Sequence, residues 1–211
     1  MKRHLFAIIL ILTTCLAWAF AWPHLPDTMT IHWSGEGANG FALKLNAMLL
    51  TLGIMIVVYI VLSVTPKIDP KKKNYDKFSK SYTIMNYSVL FVLFLVNIIV
   101  IGVGLGYEIP MNSTPHIIVG ILFIVIGNYL PQCKPNYFVG IKTPWTLSNE
   151  EVWRKTHRFS GKVFVVLGVI MIISIFAPVA WKSFLMIGII IGAVGLTMGY
   201  SYVVYKKELK M

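Results

Sequence analysis

The sequence predicts an all-α integral membrane protein with six transmembrane helices. Low charge, long apolar segments and the distribution of Lys and Arg support this class. Of its 211 residues, 57% are hydrophobic and 13% are charged, whereas a soluble domain of this length carries about twice that charged fraction. The apolar excess must therefore lie in membrane-spanning segments.

Six apolar segments are long enough to span a bilayer, for which about 20 residues are needed. They contain no Asp, Glu, Lys or Arg apart from Lys162 at one boundary. Because lipid offers the backbone no hydrogen-bond partners, each segment is expected to be a helix. The segments cover residues 5–22, 46–65, 82–106, 115–131, 162–180 and 183–205.

The basic residues orient these helices. With the N-terminus inside, 17 of the 19 Lys and Arg lie in the cytoplasm, and only Lys44 and Lys182 lie outside. This asymmetry follows the positive-inside rule and predicts that both termini are cytoplasmic. The net charge of +11 then reflects topology and attraction to anionic lipid at the cytoplasmic face, and does not indicate direct binding of nucleic acid.

A signal peptide is the alternative interpretation of the first segment, because "MKR" precedes it and Ala-Trp-Ala at 17–19 resembles a cleavage site. A retained helix is favoured, since the segment is long for a signal core and completes an even number of helices. A lipoprotein site at Cys15 is disfavoured because Thr14 precedes it. Cys15 and Cys133 are predicted at opposite ends of the bilayer, so neither a disulfide nor a Cys metal site is expected.

The chain is predicted to form two parts. Residues 1–80 would be a two-helix unit with an extracytoplasmic loop at 23–44 and a Lys-rich cytoplasmic loop at 66–80. Residues 81–211 would be a four-helix unit with a cytoplasmic loop at 132–161.

The extracytoplasmic loop has the pattern of a short extended segment followed by a turn. Pro23 and Pro26 end the preceding helix. Residues 28–33 alternate polar and apolar side chains, as in a strand, and the glycines of "SGEGANG" predict a turn before the second span.

Polar residues concentrate in "GIKTPWTLSNEEVWRKTHRFSG", residues 140–161. Ser148 and Glu151 have the spacing of a capping box, so a helix is expected to begin near Asn149. Its acidic first turn and later basic residues suit the helix dipole. We expect an amphipathic helix on the inner membrane surface that runs into the fifth span or kinks at Gly161.

The residues before that helix predict an extended element, because Thr143 precedes Pro144. Trp145 and Trp153 have the amphipathic shape that membrane interfaces favour. An interfacial anchor is therefore the simplest interpretation of residues 140–161.

Small and amide residues within the spans predict helix packing. Glycines four residues apart, at 102/106, 188/192 and 195/199, permit close helix contact, and packing within the bundle is favoured over a homodimer face. Asn97 and Asn128 are expected to hydrogen-bond between helices, with Gly127 at a packing position.

Residues 127–161, "GNYLPQCKPNYFVGIKTPWTLSNEEVWRKTHRFSG", resemble the signature of the SdpI family of bacterial membrane proteins. In that family a Gly-Asn pair ends a span, a loop of the form G-[ILV]-[KR]-T-P-W-T follows, and V-W-x-[KR]-[TV]-H-[KR] leads into the next span. The outer loop "LPDTMTIHWSGEGANGFALK" resembles a small domain often found N-terminal to it. With six spans, the resemblance covers nearly the whole chain.

The resemblance implies a membrane immunity protein of the bacterial cytoplasmic membrane, with no enzymatic activity and no cofactor. The founding member of the family protects its cell from that cell's own secreted killing peptide, and it also senses the peptide and holds a winged-helix repressor at the membrane. The implied partner-binding residues in the cytoplasm are Lys142, Thr143, Pro144, Trp145, Thr146, Trp153, Arg154, His157 and Arg158. The implied toxin-contacting residues outside are Pro26, His32, Trp33 and Gly35.

Two other classes stay open. A small-solute transporter or channel normally carries charge within its spans, which these segments lack away from their ends. A membrane enzyme or metal site would need His24, Asp27, His32 and Glu36 to gather outside, but the spacing of the two histidines matches no ligand motif, so no metal is expected. His157 is more simply a hydrogen-bonding residue than a proton carrier. The sequence leaves open the oligomeric state, and whether a toxin is bound, blocked or excluded.

Overall fold

The computed structural model describes residues 2–34 and 37–209, which form seven helices and one β-hairpin. The helices are α1 (Lys2–Ala21), α2 (Lys44–Ile68), α3 (Ser79–Gly104), α4 (Thr114–Tyr129), α5 (Pro144–Ser148), α6 (Glu150–Ile173) and α7 (Val179–Glu208). The strands are β1 (Thr28–Ser34) and β2 (Gly37–Leu43). Short 3-10 turns lie at Trp22–His24, Lys72–Phe78, Leu130–Gln132 and Ser174–Phe176.

Six helical stretches in the described residues have the length and hydropathy of membrane spans, which confirms the predicted class. They are His4–His24, Lys44–Ile68, Lys72–Gly104, Thr114–Gln132, Glu150–Phe176 and Val179–Glu208. The protein is therefore a multi-pass membrane protein. The β-hairpin differs from the all-α class that the sequence predicted.

The structure contains the predicted strand as β1 and pairs it with a second strand, β2, that was not predicted. Thr28 pairs with Leu43 and Ser34 with Gly37 in an antiparallel register, so half of the predicted glycine turn is strand β2. Gly40 lies opposite His32, where an added Cβ would come within 2.7 Å of the His32 Cβ. Glycine is depleted in strands, which is why the sequence pattern predicted a turn here.

Contacts divide the chain into two compact units, and the first comprises residues 1–62 and 86–115. Its core holds the buried Trp18, whose Nε1 donates to Asn97 Oδ1 at 2.9 Å. Pairing these two buried polar groups avoids the cost of leaving either unsatisfied. Met29 of β1 is 1% exposed and packs in the same core, so it fastens the hairpin to the helices.

Lys44 fixes the base of the hairpin. Its Nζ donates to the carbonyl oxygens of Leu25 at 3.0 Å and Trp22 at 3.3 Å, and lies 3.9 Å from Asp27 Oδ1. The Lys44 amide also donates to the Asp27 carbonyl at 2.8 Å. The first turn of α2 is thereby tied to the residues that precede β1.

The second unit comprises residues 63–85 and 116–211, and α6 packs against both α4 and α7. Towards α4 the backbones touch through glycines spaced seven apart on each helix. An added Cβ on Gly127 would lie 2.7 Å from the Gly161 carbonyl oxygen, and one on Gly120 would lie 2.8 Å from that of Gly168. Only glycine permits this approach.

The contact between α6 and α7 uses rings and charges. Phe159 stacks on Tyr200 with ring centroids 3.9 Å apart, and Lys155 Nζ lies 2.7 Å from Glu208 Oε1. These pairs set an antiparallel register between the two helices.

The predicted packing of glycines four apart within the bundle was wrong for the four glycines of α7. Around Gly188, Gly192, Gly195 and Gly199 of α7 an added Cβ would meet nothing within 4 Å. Gly106 has a φ of +90° just beyond α3, where the Tyr107 amide donates to the Gly102 carbonyl at 3.0 Å, so it terminates the helix. Spacing alone does not reveal which side of a helix meets a neighbour.

The two units also group the residues differently from the predicted division at residue 80. Unit boundaries fall within α2 and α3, so each of these two long helices contributes to both units. Each of these helices is apolar along its length, and a change in its packing partners leaves no mark in composition.

Candidate functional site

The stretch that the sequence marked as a signature is an ordered loop with a short helix, and we call residues 133–149 the motif loop. Asn136 is fully buried and shapes its first half. Its Oδ1 accepts from the amides of Phe138 at 2.9 Å and Val139 at 2.7 Å, while its Nδ2 donates to the carbonyls of Lys134 and Val139. One side chain thus satisfies four backbone groups of a tight turn.

Asp69 ties this turn to the Lys-rich segment after α2. Its carboxylate, 2% exposed, accepts from the Tyr137 amide at 2.9 Å, the Tyr75 hydroxyl at 3.0 Å and the Lys71 amide at 2.6 Å. Three donors compensate for burying the charge. The segment that the sequence assigned to orientation and to attraction by the lipid surface therefore also supports the motif loop.

His157 of α6 holds the middle of the motif loop. The Ile141 amide donates to His157 Nε2 at 3.0 Å, so Nδ1 carries the hydrogen and donates to the Trp153 carbonyl at 2.8 Å. Gly140 has a φ of +114°, and an added Cβ there would overlap His157 Nε2. The glycine and the histidine are therefore required together.

Trp153 continues this set of contacts. Its ring stacks on His157 with centroids 4.0 Å apart, and its Nε1 donates to the Cys133 carbonyl at 2.9 Å. Trp153 is 1% exposed, so it is not the interfacial anchor that the sequence predicted. Burial also raises the pKa of the Cys133 thiol to about 12, which keeps that thiol protonated.

The Thr-Pro-Trp-Thr segment forms the first turn of helix α5, not the extended element that was predicted. Thr143 alone is extended, with φ −109° and ψ 161°, and caps α5 by accepting from the Thr146 amide at 3.2 Å. Thr146 Oγ1 accepts in return from the Thr143 amide at 2.9 Å. Proline after the cap is favourable because the first helical turn needs no amide hydrogen there.

Helix α6 begins as predicted but with a different cap. Asn149 Oδ1 accepts from the amides of Glu151 at 2.8 Å and Val152 at 3.1 Å, whereas Ser148 donates to the Trp145 carbonyl within α5. The predicted capping box at Ser148 was therefore wrong. The helix is continuous through Gly161.

Four of the nine expected partner-binding residues are buried: Thr143 at 2%, Thr146 at 1%, Trp153 at 1% and His157 at 0% exposure. Each of these four side chains hydrogen-bonds to the backbone of the motif loop. The exposed ones are Lys142, Pro144, Arg154 and Arg158.

Trp145 lies half-buried beside this exposed set, with its ring 5.0 Å from that of Tyr202. Arg154 is held by Glu151, with its Nε 2.9 Å from Oε2. Tyr137 and Phe138, at 45% and 38% exposure, add an aromatic tip that sequence reasoning missed. Asp69 and Asn136 were missed as well, because a single polar residue in a polar loop carries no sequence signal of burial.

Of the residues expected to meet a toxin, His32 is exposed and its Nδ1 lies 2.6 Å from Asn39 Oδ1 across the hairpin. Pro26 is exposed, and Trp33 is half-buried and lines a cleft. Gly35 lies outside the described residues. In the described part of the chain no three His, Cys, Asp or Glu side chains gather as a metal site; Glu36 lies outside that part.

Asn97, Gly127 and Asn128, which were expected to pack or hydrogen-bond between helices, occupy different environments. Asn97 is buried and bonded to Trp18, and Gly127 packs against Gly161. Asn128 is exposed and donates to the Ile124 carbonyl of its own helix at 2.9 Å, so in this unit it makes no bond between helices.

Two regions of the chain match known family models. Residues 132–201 match the model of the SdpI/YfhL protein family, and residues 9–56 match a domain of unknown function, DUF1648. The chain is 27% identical over 208 residues to the Immunity protein SdpI of Bacillus subtilis (strain 168), which covers 98% of each chain. No solved structure matches it.

Proposed function

Because residues 132–201 match the SdpI/YfhL family model, we propose that the chain belongs to this family and is an immunity protein of the bacterial cytoplasmic membrane. It protects the cell against a secreted antimicrobial or killing peptide. The observation that carries the proposal is the similarity to an immunity protein over 98% of both chains. Both the hairpin region and the motif loop lie inside that aligned length.

The proposed topology places both termini and the motif loop in the cytoplasm and the hairpin outside. The basic residues support it, because 17 of the 19 Lys and Arg lie at residues 2–3 or in the segments 66–80, 134–162 and 206–210, and such residues are retained in the cytoplasm. Under this topology a secreted peptide meets the hairpin first.

The exposed face of the motif loop is the proposed dock for a cytoplasmic partner such as a winged-helix repressor. We define this docking face as Lys142, Trp145, Arg154 and Arg158. It combines positive charge with an aromatic ring, which suits a partner patch that is acidic and apolar. The buried Thr143, Thr146, Trp153 and His157 hold it in shape.

Gene deletion tests the immunity function. The deletion strain should be killed by medium from the wild-type strain, and the restored gene should return resistance. If the deletion strain grows like the wild type in that medium, and in medium from related strains, the immunity proposal is refuted.

Repressor docking has a separate test. A fluorescent fusion of the candidate repressor should move to the membrane on peptide exposure, and Arg158→Ala should prevent this while the protein stays at wild-type abundance. Lys162→Ala, an exposed cation one turn further along α6, is the matched control. Equal recruitment in the Arg158 variant and the control would contradict docking at this face.

A further inference from the structure

The first unit contains a cleft that neither family match explains. It has a volume of about 480 Å³ and is lined by β-hairpin residues, including Trp33, and by the segment after α3. Ligand clefts commonly measure about 300–1,000 Å³. A cleft of this size accommodates a few side chains of a chain segment and not a folded domain.

The walls of the cleft are mostly apolar. Tyr107, Ile109, Pro110 and Met111 line it together with Trp33. Tyr107 is 68% exposed, so a large aromatic surface is available to a ligand. Apolar and aromatic walls of this kind favour an apolar occupant.

Both walls are held by backbone hydrogen bonds. On the hairpin side Trp33 pairs with Ala38. On the other side the Tyr107 amide donates to the Gly102 carbonyl at 3.0 Å, and the Ser113 amide donates to the Pro110 carbonyl at 2.9 Å. A preformed cleft loses little entropy on binding.

Glu108 gives the cleft a charge. Its carboxylate belongs to an exposed residue of the lining. Among the described residues of 22–46 and 105–115, the carboxylates are those of Asp27 and Glu108 and the ammonium is that of Lys44, which already lies beside Asp27. A chain with a net charge of +11 thus presents a locally acidic cleft, which attracts cations.

We propose that this cleft binds a peptide segment that combines apolar side chains with one cationic group, and that Glu108 pairs with the cation. The identification of that peptide as the secreted killing peptide rests on the function proposed above. Trp33 and Tyr107 would then contact the apolar side chains on either side of the charge.

The test uses the full chain in nanodiscs of neutral phosphatidylcholine and three labelled octapeptides with blocked ends. All three consist of Leu, Val and Ala around a central residue, which is Lys, norleucine or Glu. Fluorescence anisotropy, corrected for binding to empty nanodiscs, should show the Lys peptide binding about threefold to fivefold more tightly than the norleucine peptide, as for an exposed ion pair. The Glu peptide should bind most weakly.

Variants of single residues test whether Glu108 causes the preference for the Lys peptide. Glu108→Gln should make the Lys and norleucine peptides bind equally, whereas Asp27→Asn, which removes a carboxylate outside the cleft, should leave their ratio unchanged. Trp33→Ala should weaken all three peptides together. Binding no greater than to empty nanodiscs, a ratio unaffected by Glu108→Gln, or an equal loss in the Asp27 variant would each overturn the proposal.

The amine of a lipid headgroup is the alternative occupant of the cleft, and a measurement of melting temperature distinguishes it from a peptide. If phosphatidylethanolamine in the nanodisc raises the melting temperature of the wild type but not of Glu108→Gln, and no peptide binds, the cleft is a headgroup site and the proposal is wrong. These results are independent of the killing assay. If the deletion strain is sensitive but the cleft binds no peptide, peptide binding by the cleft is refuted and the immunity function is not.

Discussion

Replacing Gly140 with Ala tests how the motif loop is held. At a φ of +114° a non-glycine residue costs about 1–3 kcal/mol in backbone strain. The new Cβ would also displace the His157 ring, which leaves the Ile141 amide without its acceptor at a cost of about 1–3 kcal/mol. The two effects together amount to about 4 kcal/mol.

For a chain of this length that loss lowers the melting temperature by about 10 °C, which is measurable by tryptophan fluorescence of the purified protein in detergent. Gly106→Ala is the matched control, since Gly106 has a φ of +90° but open space around it. It should show the strain alone, with about half the effect.

A double variant separates overlap from strain. His157→Ala removes the ring that the Cβ would displace, so Gly140→Ala should cost less in that background than in the wild type, by about 1–2 kcal/mol of coupling. If Gly140→Ala and Gly106→Ala lose equal stability, or the two changes at 140 and 157 are additive, the reasoning about the shared space is refuted.

Three further results are expected from the second unit. Asp69→Asn should destabilise the protein by about 2 kcal/mol, because charge-assisted hydrogen bonds to three donors are weakened; an unchanged melting temperature would contradict this. Gly120→Leu should cost about 3 kcal/mol or more by forcing α4 from α6, whereas Gly192→Leu, which meets open space, should be within about 0.5 kcal/mol of wild type. Cys133, 3% exposed with its pKa raised to about 12, should resist iodoacetamide at pH 8, where about one thiol in 10⁴ is ionised, and react after denaturation in SDS; rapid alkylation of the native protein at Cys133 would refute its burial.

Length and hydropathy were enough to predict the six spans, because a lipid environment imposes both on any helix that crosses it. The second strand of the hairpin was not predictable in this way. Its residues 37–40 are Gly-Ala-Asn-Gly, and their pairing depends on the close approach of Gly40 to His32. That approach is a tertiary property without a local pattern.

Helix contacts were predicted least well, and glycine shows the reason. Gly120, Gly127, Gly161 and Gly168 make the backbone contacts between α4 and α6, but they are seven apart and do not form the four-residue spacing that the sequence reading sought. Spacings of four and of seven residues, which are about one and two turns, both return a side chain to nearly the same face of a helix. Which glycines face a partner depends on the rotation of each helix, which an apolar sequence does not encode locally.

The composition of the signature suggested an exposed surface for an interface or a partner, whereas the structure of the motif loop buries several of its most distinctive residues. Its most distinctive residues, Thr143, Thr146, Trp153 and His157, are satisfied by internal hydrogen bonds and have almost no exposed surface. Substituting any of them would disturb the loop, and loss of function in such a variant would not identify a contact. A partner must instead recognise the side chains that this framework turns outward. The substitutions that distinguish recognition from folding are therefore those at Lys142 and Arg158, whose exposed side chains can be removed without opening the core.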